Sequence, residues 1–475
     1  MSNQSQRLVT VILVGSAFLT GVDMFIVNVA FDEIGRDYGT ASLAQLSWIL
    51  SAYAVVFAAL LVPMGRLADR YGQKTGFVAG LAVFVAASLA CGFAPGVWWL
   101  VAFRSVQAIG AAAMTPASLG LLLAAVEPER RAPAARLWAT TGAVAAALGP
   151  AVGGGLVQIS WQWAFWINLP LGLLLIAGAL RYVPDVRHNH GTPIPDLLGA
   201  AVLAVAVGAL VLGIVQGNDW GWTSARVLSA FATTVLAGAV FARRTLRHPS
   251  PVIAPSLLAV PAFRWANTAM LVFNGAFGAA LLAGILWMQQ AWDYGALRTG
   301  LAIALGPLAV PITSVVAHRL FPAARPGPMI ATGSVLFAAS AIWQGTALST
   351  TPAYWSSFLP AWLLSGVAVG LAVPNLLAAG TATLPPSQAS TGGGVVSMAR
   401  QVGLVLGVAV LVTVVDGAAP KTGFTHAWYA VALGMVLAAI AALRMDRVTP
   451  RLALHQPVAM TPVTHPLQNS TGANG

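Results

Sequence analysis

Charge is what this chain has least of: Asp, Glu, Lys and Arg make up 8% of its 475 residues, against about 25% in a typical soluble domain. With 58% hydrophobic residues and a mean hydropathy of +0.80, it cannot cover itself with a water-facing surface. Soluble enzymes are thereby excluded, and so are the nucleic-acid binders that a net charge of +11 would otherwise suggest. The one cysteine, Cys91, lies inside an apolar run and rules out a disulfide within the chain. The phosphate-cradling pattern G-x-x-x-x-G-K-[ST] is missing, so no ATP site is expected. Beyond residue 264 no acid sits in the middle of an apolar run, since Asp416 stands at the outer end of its own. A second intramembrane acid would be the counterion for a divalent cation, so any small molecule held between the helices is expected to be neutral, zwitterionic or monovalent.

What is present is a succession of apolar runs. A helix needs about 20 apolar residues to cross roughly 30 Å of hydrocarbon, and fourteen such stretches follow one another from 8–31 to 426–445. The first is too long for a signal-peptide core and lacks a small-residue cleavage site, so it reads as a retained helix. With the N-terminus in the cytoplasm, only Arg36, Arg226, Arg298 and Lys421 fall outside and only Arg104 and Arg400 within spans; every other Lys and Arg falls inside. That asymmetry supports an even number of crossings with both termini cytoplasmic. Trp48, Trp98, Trp99, Trp161, Trp163, Trp220 and Trp222 cluster near run ends, as interfacial anchors do. His188 and His190 have no acidic or cysteine company and read as solvated loop residues, so no metal is expected. The tail, 448–475, is polar and aperiodic and reads as disordered.

Three ionisable residues lie inside runs: Asp23, Arg104 and Arg400. Each costs about 2.5–3.5 kcal/mol at a helix centre on insertion scales, so each needs a reason. At about 1.5 Å per residue, Asp23 lies roughly 22 Å from the inner start of its helix and Arg104 roughly 10 Å from the outer start of its own. Both then sit at nearly one level, close enough for a direct or water-bridged pair. Such a pair is either a permanent lock or a switch, because burial favours the neutral acid and a nearby guanidinium the ionised one. Arginine holds its proton throughout, which leaves Asp23 as the candidate proton carrier. Arg400, roughly 15 Å deep, reads either as a cap for backbone carbonyls or as a cavity charge.

Four further stretches stand out. Gly65-Arg66-Leu67-Ala68-Asp69-Arg70-Tyr71-Gly72-Gln73-Lys74 packs four charges between two apolar runs. A positive cytoplasmic turn explains Arg66, Arg70 and Lys74; Gly65 and Gly72 add close helix approach and turn dihedrals, and Asp69 suits the positive end of the next helix. The fifth run carries Gly142, Gly149-Pro150 and Gly153-Gly154-Gly155, where small residues permit close backbone packing and Pro150 bends the axis. Arg104-Ser105-Val106-Gln107 places Gln107 one turn from Arg104. In the ninth run Met270, Asn274 and Phe277 share one face, which reads as helix packing or as an adaptable cavity wall.

The order G-x-L-x-D-R-x-G-x-K resembles the loop between helices 2 and 3 of major facilitator superfamily transporters. Leu19-Thr20-Gly21-Val22-Asp23 through Asn28-Val29-Ala30, Arg104 to Gly110, G-x(6)-G-P-x-x-G-G and Arg400-Gln401-Val402-Gly403 resemble the fourteen-helix drug:proton antiporters, which include methylenomycin and antiseptic resistance exporters. Asp32 departs from the pattern, where relatives carry proline. The resemblance implies an all-α polytopic membrane protein of the major facilitator fold. It would have a six-helix bundle over 8–183, two added helices within 184–255 and a second bundle over 256–447. It further implies a monomeric, multi-pass protein of the cytoplasmic membrane that exports small hydrophobic or amphipathic compounds in exchange for protons, with lipid as its surroundings and no enzyme activity or cofactor. Asp23 and Arg104 would couple protons, Gly65, Asp69, Arg70, Gly72 and Lys74 would gate, and Gly142, Gly149, Pro150, Gly153 and Gly154 would mark antiport. Asn28, Gln107, Met270, Asn274, Phe277 and Arg400 would line the cavity. Export of an endogenous metabolite, siderophore or lipid, and proton-coupled import, are the alternatives.

Overall fold

In lipid every backbone polar group must find a partner inside the protein, so long apolar runs close on themselves as helices. The computed structural model describes residues 3–39, 42–127, 130–185, 193–321, 324–347, 349–382, 384, 386–416 and 419–448; His188, His190 and the tail past 448 lie outside them. Six long helices come first: α1 Asn3–Ile26, α2 Leu43–Tyr71, α3 Gln73–Gly92, α4 Val97–Ala125, α5 Arg131–Val157 and α6 Asn168–Tyr182. Two follow, α7 Leu197–Val215 and α8 Ala225–Arg247. The last six are α9 Pro261–Gln290, α10 Ala296–Leu320, α11 Pro326–Thr346, α12 Leu359–Ala382, α13 Pro386–Asp416 and α14 Pro420–Val448. Each expected run is thus a helix. Thirteen stretches are long and apolar enough to cross a membrane, and α5 contributes a shorter apolar part, Val144–Val157.

Helix packing departs from the order of the chain. Helix α1 lies against α4, α5 and α6, and α4 against α2 and α3; in the second set, α9 lies against α13 and α14, and α12 against α10 and α11. The two sets meet along α2 with α13 and along α5 with α10. Helices α7 and α8 pair with each other, and α7 also rests on α2 and α13.

The first helix does not stop where its apolar run ends. A 3₁₀ turn, Val27–Ala30, leads into Phe31–Tyr38, which buries Phe31 and Ile34 and turns Asp32 and Glu33 outward to pair with Arg36. Tyr38 Oη donates to Ala94 O at 2.8 Å, and Trp161 Nε1 donates to Asp37 Oδ2 at 2.8 Å. Trp161, expected as an interfacial anchor, is therefore a buried pin at 5% exposure. Trp98, Trp99, Trp163 and Trp222 are exposed, as anchors require.

At the other end, the added helices are tied to α2. Asp196 caps α7 by accepting from the Gly199 amide at 2.7 Å, and Arg244 of α8 grips the same carboxylate with Nη2 at 2.6 Å and Nε at 3.1 Å. The Asp196 amide donates to Ser250 O at 3.1 Å, while Arg66 Nη1 of α2 donates to Ser250 Oγ at 2.9 Å and Pro251 O at 2.7 Å. The strap before α9 is thus held from both sides.

Burial raises the Asp196 carboxyl, but the Arg244 and Gly199 hydrogen bonds, with His248 and Arg244 charge nearby, outweigh it and hold it below the usual carboxylate range. A group depressed in the folded state contributes stability above its unfolded value, about 3.9, and loses it as pH falls through the folded one. Asp196→Asn is expected to cost about 1–2 kcal/mol through the weakened cap and lost ion pair. The deficit, read from thermal unfolding in detergent, should be constant from pH 7 to 5 and shrink only below about pH 4. A deficit that instead vanished near neutrality would contradict this account.

Candidate functional site

Charge buried between helices has to be matched atom by atom, because lipid offers no substitute. Asp23 of α1 and Arg104 of α4 are each 0% exposed, and Arg104 Nη1 donates to Asp23 Oδ2 at 2.6 Å. The pair is direct. The second carboxylate oxygen accepts from Gln107 Nε2 of α4 at 2.8 Å and from Asn168 Nδ2 of α6 at 2.8 Å. Gln107 Oε1 returns an acceptor to Arg104 Nη1 at 2.7 Å, and Arg104 Nε reaches Ile49 O of α2 at 3.4 Å. The guanidinium also lies 4.1 Å from the Tyr53 ring centroid, a cation–π contact that a desolvated site strengthens.

Ser88 of α3 completes the cluster. Its Oγ accepts from Gln107 Nε2 at 3.1 Å and Asn168 Nδ2 at 2.9 Å and donates to Phe165 O at 2.9 Å. Every contact to the carboxylate comes from a donor on Arg104, Gln107 or Asn168. Asn168 opens α6, so the helix amino end also favours a negative charge here. Neither Ser88 nor Asn168 was expected in the site. Ser88 and Asn168 carry no formal charge to single them out among the many Ser and Asn of the runs, and only the fold brings α3 and α6 to the pair.

A cavity of about 50 Å³ opens beside this cluster, between α1, α2 and α4 of the first set and α9 and α13 of the second. Asn28 and Arg104 line it, as does Met24. Gln107 is turned into the ionic cluster instead. From α9 the wall residues are Gly278 and Leu281, whereas the expected stripe packs within the second set. Met270 is fully buried, Asn274 Nδ2 donates to Met270 O at 2.8 Å, and Phe277 meets Phe337 of α11 at 6.4 Å between ring centroids. Those three do not reach the cavity. Arg400 is half-buried, and among the described residues nothing hydrogen-bonds or ion-pairs with its guanidinium.

The charged stretch expected as a loop is largely the last turns of α2, with Gly72 alone between α2 and α3, and Asp69 lies in α2 and, among the described residues, makes no cap to the α3 backbone. Gly72 has φ +110°, a value that strains any side chain, and Gly65 lies against Pro116 of α4. Asp69 Oδ1 accepts from Gln73 Nε2 at 3.0 Å, Arg70 lies 5.6 Å from the Tyr71 ring centroid, and Lys74 Nζ donates to Leu180 O in the last turns of α6 at 3.1 Å.

Helix α5 forms a seam on both sides. Gly149 and Gly153 face Phe25 and Ile26 of α1, while Gly154 lies on the Ala296 carbonyl and the Pro150 carbonyl on Gly300 of α10. A Cβ at Gly154 or Gly300 would overlap backbone of the opposite set. Gly142 differs, since among the described residues a Cβ there meets nothing within 4 Å.

With this geometry in hand, comparisons with known proteins become informative. Residues 13–408 match the family model described as Major Facilitator Superfamily. The chain is 32% identical over 441 residues to a methylenomycin A resistance protein of Streptomyces coelicolor, covering 92% of this chain and 91% of that one. It is 30% identical to a tetracenomycin C resistance and export protein of Streptomyces glaucescens, covering 83% and 73% respectively. Among solved structures, a POT family transporter in complex with a thioalcohol-conjugated peptide superposes with a TM-score of 0.69 at 12% identity, over 94% of this chain and 97% of that one. At that identity the likeness speaks for the fold.

Breaking a buried pair from one side leaves an uncompensated charge. Arg104→Leu is therefore expected to destabilise the protein by roughly 3–5 kcal/mol. The double variant Asp23→Asn/Arg104→Leu should lose less than Arg104→Leu alone, because no charge is stranded. Thermal unfolding of the wild type, the two single variants and the double variant in one detergent measures the cycle, and strict additivity would refute the tight coupling drawn from the 2.6 Å contact.

Proposed function

This chain belongs to the Major Facilitator Superfamily, and we propose that within it the protein is a proton-driven exporter of small hydrophobic or amphipathic compounds. It is a transporter of the multi-pass membrane type, similar to drug-resistance exporters. The finer reading places it in the cytoplasmic membrane with both termini inside, working as a monomer by alternating access between α1–α6 and α9–α14. The observation that carries the reading is the Asp23 cluster: one acid, fully buried, gripped by Arg104, Gln107 and Asn168 beside a cavity between the two sets.

In the arrangement described, the carboxylate is satisfied without a proton. Taking one up requires Arg104 or an amide to let go, and the cavity wall is where Arg104 can be reached. Opening the cavity toward the outside lets water loosen the pair and a proton arrive. Closing it again, and opening inward, restores Arg104 and expels the proton to the cytoplasm. Cargo leaves by the opposite stroke. One proton crossing about 100 mV supplies about 2.3 kcal/mol, and a tenfold gradient costs about 1.4, so roughly a fortyfold cargo gradient is sustainable before any pH term. The α5 seam, with Gly154 and Pro150 against α10, supports a tight closure between sets, and its motif resembles that of antiporters.

Cells producing Asp23→Asn are expected to lose drug resistance completely while the protein still inserts in the membrane. Inside-out vesicles carrying the wild type should accumulate a fluorescent dye on energisation and release it when a protonophore is added. Unchanged resistance in Asp23→Asn would remove the acid from coupling; dye release on energisation would reverse the direction of transport.

A further inference from the structure

The cavity between the two sets has two polar groups in its wall with nothing to bond. Ser51 and Tyr53 of α2 both line it, at 1% and 2% exposure, and among the described residues neither Ser51 Oγ nor Tyr53 Oη has a hydrogen-bond partner. This is unusual for a helical serine. Ser47, one turn earlier, donates to Ala44 O at 2.8 Å, and Ser16 and Ser118 bond back in the same way. A buried orphan hydroxyl costs about 1–3 kcal/mol, which a ligand can remove.

The other polar groups in the wall are engaged through Asn28 Nδ2 and through Nε and Nη1 of Arg104. Asn28 Nδ2 donates to the Met24 and Phe25 carbonyls of its own helix, and Arg104 is committed to Asp23, Gln107 and Ile49. Asp23 is fully buried behind Arg104 and offers no charge to a cationic ligand. The guanidinium under the Tyr53 ring instead makes this wall favour the negative end of a ligand dipole. At about 100° per residue, Ser51 and Tyr53 fall on opposite edges of the cavity-facing side of α2, with Leu50 and Ala54 between them.

Resting on the export reading of this cavity, we propose that Ser51 and Tyr53 are the cargo's hydrogen-bond donors. The cargo class is then an uncharged, flat, apolar ring system with a carbonyl-type oxygen on each of two opposite edges. Rings lie against Leu50 and Ala54, and the two oxygens accept from the flanking hydroxyls. At about 50 Å³ the space is far below the roughly 300–1,000 Å³ of a drug-sized site, so the ligand enters when the sets part and the hydroxyls close on it.

The test is equilibrium binding of 9,10-anthraquinone and of anthracene to the purified full-length protein in nanodiscs, corrected with empty nanodiscs. The two probes share a ring skeleton and differ in the two oxygens. Wild type is expected to prefer anthraquinone at least tenfold. Ser51→Ala and Tyr53→Phe should each weaken anthraquinone binding about fivefold, and the double variant should bring it to the anthracene value, with an unchanged unfolding midpoint showing that the variants fold. Equal affinity of wild type for both rings, no saturable binding of either, or a preference retained by the double variant would overturn the proposal. Binding needs no proton gradient, so such a failure leaves the vesicle assay of export to stand or fall by itself.

Discussion

Two opposite charges sealed inside a helical bundle set the terms for the first half of this protein. An ion pair out of water gains its attraction only if both partners are fully hydrogen-bonded, and the structure meets that demand by drawing in side chains from four helices. Arg104 and Gln107 come from α4, Asn168 from α6 and Ser88 from α3, around Asp23 on α1. These contacts fix the rotation of each helix about its own axis, which apolar packing in lipid specifies poorly because hydrocarbon and side chains are equally greasy. The cluster therefore works as the register of the bundle as well as its ionisable centre.

A second constraint is backbone proximity. Where α5 meets α10, carbonyls of one helix lie on glycines of the other: Ala296 on Gly154 and Pro150 on Gly300. Contact this close forms or breaks as a unit, because no side chain stands between the helices to flex. Opposite that seam, α2 runs along α13 and is tied through Arg66 to the strap at Ser250 and Pro251. Asp196 and Arg244 hold the same strap to α7 and α8. Helices α7 and α8 are thereby connected to the α2 end that carries the charged stretch.

Much of this was legible before any coordinates. Insertion cost singled out Asp23 and Arg104, and counting residues from the run ends placed them at one depth. Glycine patterns in the fifth run marked the seam, and Gly72 marked the turn. What escaped has a common physical cause. Ser88 and Asn168 carry no charge, and neutral polar residues recur throughout the runs, so nothing local marks these two as partners of the pair. The Arg66 strap spans 184 residues of chain, and no local pattern encodes it. Trp161 reads as an interfacial anchor by position yet is buried, because the helix Phe31–Tyr38 folds over it. Met270, Asn274 and Phe277 share a face as expected, but periodicity cannot say which neighbour that face meets.

The placement of the cluster also restricts how the proposed proton coupling would work. Asp23 and all its donors belong to α1–α6, so rocking one set of helices against the other leaves those distances unchanged. Coupling must act through the wall that the cluster shares with the cavity. Arg104 is the shared element, bonded to Asp23 on one side and facing the cavity with Tyr53 on the other. Charges about 4 Å apart attract by about 4 kcal/mol at an effective dielectric of 20 and by about 1 in water. Wetting the cavity therefore weakens the grip on the carboxylate by an amount comparable to the roughly 2.3 kcal/mol that a proton carries through 100 mV. Hydration of one wall is then a sufficient link between the position of the two sets and the proton affinity of one acid, without any residue of the second set touching it.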